Sequence, residues 1–103
     1  MSKSPTTTEA LPPVHPGQVL ADALNEAKMS ANAAALAMRI PANRLTGIIN
    51  GERSVSADTA MRLGVFFGTS ARLWMNLQAR YDLQMAERES AGRIAAEVRP
   101  LSR

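Results

Sequence analysis

The stretch from Met29 to Gly51, MSANAAALAMRIPANRLTGIING, constrains the fold most, because it sets two short helix signatures on either side of a dipeptide corner. Ser30 offers a hydroxyl acceptor for an unpaired N–H of a first helical turn, and Ala31 to Met38 are almost all strong helix formers. Arg39-Ile40 is the corner. Pro41 suits the first turn of a second helix, where a missing N–H costs nothing, and Gly51 suits the left-handed residue that ends it. In that second helix Leu45, Ile48 and Ile49 recur at i, i+3 and i+4 as an apolar stripe, which leaves Ala42, Asn43, Arg44, Thr46, Gly47 and Asn50 facing outward. A helix end carrying Asn, Arg and Thr beside two small residues is shaped to enter the major groove of duplex DNA and reach base edges.

A chain of 103 residues has room for one domain with a modest core. With only four aromatic residues, that core is built from Leu, Ile, Val, Met and many alanines, and alanine-rich packing favours closely approached helices, hence an all-α fold. The absence of cysteine removes disulfides, thiolate metal sites and cysteine nucleophiles together, which fits a reducing compartment. No apolar run is long enough to span a membrane, and the N-terminus lacks the charged-then-apolar order of a signal peptide, so a cytoplasmic protein without membrane contact is expected.

The net charge is +3, and its position says more than its size. Between Lys28 and Ser56 four basic residues (Lys28, Arg39, Arg44, Arg53) face one acid, Glu52, so this segment carries the whole excess; the remainder balances. Phosphate contact requires that placement.

Taken in order, residues 1–14 are rich in Ser, Thr and Pro without an apolar period and are expected to be a disordered arm. Pro13, Pro16 and Gly17 lead into a first helix whose apolar face is Val19, Leu20, Ala23, Leu24 and Ala27, expected to cover the back of the two-helix corner. After the loop Glu52 to Val55, Ser56 caps a further helix with Asp58 in its first turn, a stripe of Ala60, Leu63 and Phe67 broadened by Val65 and Phe66, and Gly68 at its end. Thr69-Ser70 then opens a longer helix through Leu73, Trp74, Leu77, Tyr81 and Met85. The tail, 87–103, is charged and weakly amphipathic, and is helical, frayed or ordered only against a partner.

Five helices with the second and third as a helix-turn-helix resemble the lambda-repressor-like fold of the XRE family, with a C-terminal helical extension here. The resemblance sharpens to the HigA (VapI-like) antitoxins through His15-Pro16-Gly17, Ile40-Pro41-Ala42-Asn43-Arg44, Gly51-Glu52-Arg53, Ala57 to Leu63, Phe67-Gly68-Thr69-Ser70 and Trp74 to Leu83, in that order and spacing over residues 15–86. It implies an antitoxin that binds operator DNA of its own operon and neutralises a cognate HigB/RelE-like ribonuclease toxin. Composition and periodicity alone say nothing of a toxin. The resemblance places Asn43, Arg44 and Thr46 on the reading face, with Asn50 beside them, and puts Gly47 where many relatives carry a longer side chain. Arg39 stands where many XRE proteins have glycine, so it has to tolerate an unusual backbone conformation there; the resemblance to the antitoxin branch, where a basic residue at this place is not unusual, makes it a candidate phosphate contact. Arg53 and the N–H groups opening the helix at Ser30 are the other phosphate candidates.

Each assignment has a plainer rival: a helix arginine is ordinarily a solvated charge, and recognition-helix residues often touch phosphate or nothing. His15, the single histidine, has no cysteine or second histidine to share a metal and reads as a structural residue at the first helix start. Trp74 and Tyr81, seven residues apart, read as core. No acid-base pair or phosphate loop marks an enzyme, and no cofactor is implied. A stand-alone XRE-type regulator without a toxin, and an interaction module without DNA, remain as alternatives; the localised charge speaks against the second. A single short reading helix is thin for operator affinity, so a two-fold homodimer is expected, reading half-sites about one helical turn, roughly 34 Å, apart. Its contact is expected on the last helix and tail, from Tyr81, Leu83, Met85, Ile94 and Val98.

Overall fold

The structure, a computed structural model, describes residues 12–102; residues 1–11 of the expected arm lie outside them, as does Arg103. Five helices follow in order, α1 (Pro16–Glu26), α2 (Ala31–Met38), α3 (Ala42–Ile49), α4 (Ala57–Phe67) and α5 (Ala71–Glu97), and no strand occurs among the described residues. Local chemistry sets the starts. Ser30, Ser56 and Ser70 each accept a hydrogen bond on their hydroxyl oxygen from an N–H three residues on, at 3.1, 3.2 and 3.0 Å. Pro41 stands one position earlier than expected, as the N-cap of α3 in extended conformation, and supplies no side-chain acceptor.

The ends are left-handed turns. Gly51 (φ 78°) follows α3 and Gly68 (φ 71°) follows α4, and in both the next N–H returns to a carbonyl five residues back: Glu52 to Gly47 at 2.8 Å, Thr69 to Gly64 at 2.9 Å. Two non-glycine residues do the same work, Lys28 (φ 55°) after α1 and Arg39 (φ 60°) after α2.

Leu20, Leu24, Ala34, Ala35, Met38, Ile40, Leu45, Ile48, Val55, Ala60, Leu63 and Trp74 form the core. α3 packs against α1 and α2, α4 against α2 and α5, and α1 reaches α5. The α1–α3 contact is the tightest: a Cβ at Gly17 would run into the Ile48 carbonyl, with the Ile48 carbonyl carbon at 2.8 Å and the Ile49 Cα at 3.0 Å. A second close approach joins α4 to α5, where a Cβ on Gly64 would lie 2.9 Å from the Ala71 nitrogen.

Two apolar expectations fail on α4 and α5. Val65 is 86% exposed and Leu73 is 42% exposed, because among the described residues no element covers those sides of the helices. The tail is helical as far as Glu97: α5 runs on without a break, and the molecule measures 53 × 28 × 22 Å because the exposed end of α5 projects from the bundle. Among the described residues no helix is long and apolar enough to cross a membrane.

His15 is the N-cap of α1, its Nδ1 accepting from the Gly17 N–H at 2.9 Å, so the ring proton is on Nε2. His15 as a whole is 8% exposed, and its ring meets Tyr81 edge-on, with centroids 4.8 Å apart at 71°. Tyr81 is half-buried and packs within its own chain, in keeping with its reading as a core residue.

Trp74 is 2% exposed, donates from Nε1 to Thr69 Oγ1 at 3.0 Å and lies 5.9 Å from Phe67 between ring centroids. Trp74→Ala should cost about 3 to 5 kcal/mol, a large part of the stability of a domain this size, measured by denaturant unfolding. A melt close to wild type would contradict its place in the core.

Burial holds the His15 imidazole below its ordinary pKa of 6.5, with the Asp82 carboxylate pulling the other way. The unfolded chain thus takes up a proton that the folded chain resists, so this contribution to stability is complete above about 6.5 and is lost as pH falls through the lower native value. The melting temperature should drop as pH is lowered from 7 to 5. His15→Asn, which can still cap but does not titrate, should flatten that drop; an unchanged slope would place its origin elsewhere.

Candidate nucleic-acid interface

The eight residues of α3 are too few to be stable alone, so its orientation is imposed by neighbours. Leu45 and Ile48 are wholly buried and Ile49 half-buried, which seats the apolar stripe and turns the opposite side to solvent. On that outer side Asn43 and Asn50 are exposed, and Arg44 and Thr46 half-buried. The Thr46 hydroxyl donates back onto its own helix, 3.2 Å from both the Ala42 and Asn43 carbonyls, which uses its proton and leaves its oxygen able to accept.

Gly47 differs from its expected state. It is buried, because the side chain of Arg53 lies over it; a Cβ there would sit 2.8 Å from both Cγ and Cδ of Arg53. The Gly47 carbonyl accepts from the N–H of Glu52 at 2.8 Å and of Arg53 at 3.1 Å, so the chain turns back at Gly51 and brings residue 53 against the helix it has just left.

Arg39 is exposed in the left-handed conformation that closes α2, and the turn it makes sends Ile40 into the core, 7% exposed. Its amide donates to the Leu36 carbonyl at 3.2 Å and that of Ile40 to Ala35 at 3.0 Å. Ser30 lies exposed at the opposite end of α2, its oxygen engaged by Ala33 and its own O–H left to donate.

A depression of about 450 Å³ opens between α3 and the start of α4, lined by Arg44, Arg53, Ser54, Ser56, Asp58 and Thr59. Its one acid is already matched: Asp58 Oδ2 accepts from Arg62 Nε at 2.9 Å. Among the described residues neither Arg44 nor Arg53 has a carboxylate partner, so the depression is positive. Polar groups of this kind, with the uncapped N-terminus of α3 beside them, suit a polyanion.

Three contacts that sequence reasoning missed hold the region in place. Gln78, 4% exposed on α5, accepts from the Val55 N–H at 2.7 Å and donates to Asp82 at 2.9 Å, anchoring the loop after α3. Arg62 donates from Nη1 to the Met38 carbonyl at 3.1 Å, tying α4 to the corner between α2 and α3. His15 borders Gly51, whose added Cβ would be 3.9 Å from its ring. The Gln78–Asp82 spacing of four was the one legible signal among these. Among the described residues no group of three or more His, Cys, Asp or Glu side chains is placed to hold a metal.

The family model for helix-turn-helix domains matches residues 20–74, which run from α1 into the first turn of α5. Virulence-associated protein I of Dichelobacter nodosus is 38% identical over 86 residues, 82% of this chain and 80% of the relative. Among solved structures, an addiction module antidote protein of the HigA family from Coxiella burnetii is 50% identical, with a TM-score of 0.83 over 88% of this chain and 100% of that one. The Pseudomonas aeruginosa antitoxin HigA, solved with the higBA promoter, is 41% identical with a TM-score of 0.84, again over 88% and 100%.

Proposed function

For this chain, a member of the helix-turn-helix family in its HigA-type antitoxin branch, we propose the role of a DNA-binding antitoxin that represses its own operon and neutralises a HigB/RelE-like toxin by direct contact. The carrying observation is the outward side of α3: Asn43, Arg44, Thr46 and Asn50 stand on a rigidly seated short helix, flanked by arginines without acidic partners. In this reading α3 lies in the major groove, Asn43, Arg44 and Thr46 reach base edges, and Asn50 lies at the rim of the contact. Arg39 and the N–H groups that Ser30 introduces approach the phosphates. The protein acts by binding and not by catalysis, in the cytoplasm where its operator is. Its fold with the Pseudomonas aeruginosa HigA solved on promoter DNA supports this placement of α3.

The functional unit we propose is a two-fold homodimer through the far end of α5. Leu83 (61% exposed) and Ile94 (46%) are eleven residues apart, which returns them to within about 20° of one another on a helix, and Val98 (61%) adjoins them. A monomer gains nothing from that stripe, and two copies covering it would pair two reading helices. The toxin is the second protein partner. Its capture with the protein, when the neighbouring reading frame is co-expressed, tests that part, and a failure to capture it would leave a regulator without a toxin.

A gel shift on the duplex upstream of its own coding sequence tests the DNA reading. Arg44→Ala should weaken binding to that duplex by about 1 to 3 kcal/mol and to scrambled DNA far less. Equal loss on both would count against base reading by Arg44, and wild-type protein that prefers neither duplex would sink the proposal.

Ile94→Glu with Val98→Glu should leave the fold intact, sediment as a monomer at low micromolar concentration and bind the upstream duplex much more weakly. Persistence of a dimer would move the contact away from the end of α5.

A further inference from the structure

The outward side of α3 is centred on a residue with no side chain. At about 100° per residue, Asn43, Gly47 and Asn50 fall within roughly 60° of one another, opposite the stripe of Leu45, Ile48 and Ile49. Asn43 and Asn50 are exposed, yet Gly47 between them is buried. What buries it is the stem of Arg53, whose Cγ and Cδ would both lie 2.8 Å from a Cβ on residue 47. The glycine is the groove in which the arginine lies.

We infer that Arg53 is a base-reading residue, delivered from the loop after α3 across Gly47 to the middle of the reading face, where it specifies a guanine in each half-site. This rests on the DNA-binding role proposed above and alters one part of it, since Arg53 was expected at a phosphate.

Its root is fixed. The Arg53 amide donates to the Gly47 carbonyl at 3.1 Å and the Glu52 amide to the same oxygen at 2.8 Å, a turn that Gly51 permits at φ 78°. Its stem is laid in a channel only glycine can provide. Its head is uncommitted, since no carboxylate among the described residues pairs with it, and residue 53 as a whole is exposed. It shares the positive depression with Arg44, one turn back along α3 from Gly47. An arginine that served only a phosphate would leave from the rim of the interface. This one runs over Gly47 on the outward side of α3, and its planar fork of donors meets the O6 and N7 acceptors of guanine in a fixed bidentate geometry that the flexible ammonium of a lysine does not hold as well.

The test is selection of binding sites by the full chain from a random duplex library, followed by titration of the selected duplex at fixed salt. Wild type should enrich a two-fold motif with a guanine position in each half. Arg53→Lys keeps the charge and should keep the salt dependence, but should lose the preference at one base pair per half-site, about tenfold in affinity, and leave the other positions intact. Gly47→Ala, whose methyl displaces the stem, should lose the same preference, and the double variant should be no worse than Arg53→Lys alone. A melt of Gly47→Ala confirms that it is folded, and Arg53→Lys decides the matter whether or not it is. Retention of the wild-type motif at every position by Arg53→Lys overturns the inference alone. Failure of wild type to enrich any motif overturns it together with the DNA-binding role.

Discussion

The close approach of Gly17 to the Ile48 carbonyl is the contact from which the rest of the architecture follows. α3 has eight residues and contributes little stability of its own, so its direction in space is that of whatever it is pressed against. A methyl group at residue 17 would collide with backbone, not with a side chain that can swing away, so α1 and α3 meet at a distance only glycine allows. His15 sits at the same place, capping α1, bordering Gly51 at the end of α3 and packing on Tyr81 of α5. The triplet His15-Pro16-Gly17 thus joins three helices where α3 ends.

The other restraints on α3 come from residues that do not face the proposed groove. Gln78 holds the Val55 amide, and Arg62 holds the Met38 carbonyl, so the loop after α3 and the corner before it are each pinned by a side chain from a later helix. That is why α4 and α5 bear on the placement of α3 though neither carries its outward side.

Much of this was legible in the sequence where the signal is local. Ser30, the alanine run and Met38 bound α2 as read, and Leu45, Ile48 and Ile49 gave the buried side of α3. The failures share a physical cause: each depends on a partner distant in the chain, or on an absence. Val65 fits the apolar period of α4 and still faces water, because periodicity reports which residues share a side and not whether anything covers it. Val55 lies between two serines and is nevertheless buried, its amide satisfied by a glutamine 23 residues away. Gly47 reads as a gap in the contact surface until the turn at Gly51 is known to fold Arg53 back over it. How far α5 continues past residue 86 rests on local helix propensity, and those residues, exposed apart from a half-buried Ser90, offer little burial that would have marked them.

Asp58 is the one apparent flaw in a positive surface, and its surroundings give it two uses. An acid beside Arg44 and Arg53 would repel a phosphate backbone if its charge were free. It lies in the first turn of α4, where the helix dipole favours a negative group, and its oxygen is taken by Arg62 Nε at 2.9 Å. Both side chains of that pair are well exposed, so its Coulomb energy is screened and small. Its value is geometric: with Nε occupied by Asp58, the guanidinium is oriented so that Nη1 meets the Met38 carbonyl at 3.1 Å. Met38 is the last residue of α2 before Arg39 turns left-handed, and that carbonyl would otherwise be an unsatisfied acceptor at a helix end. The acid that looks misplaced for binding a polyanion is therefore what aims Arg62 at the corner, and the corner is what sets the angle between α2 and α3.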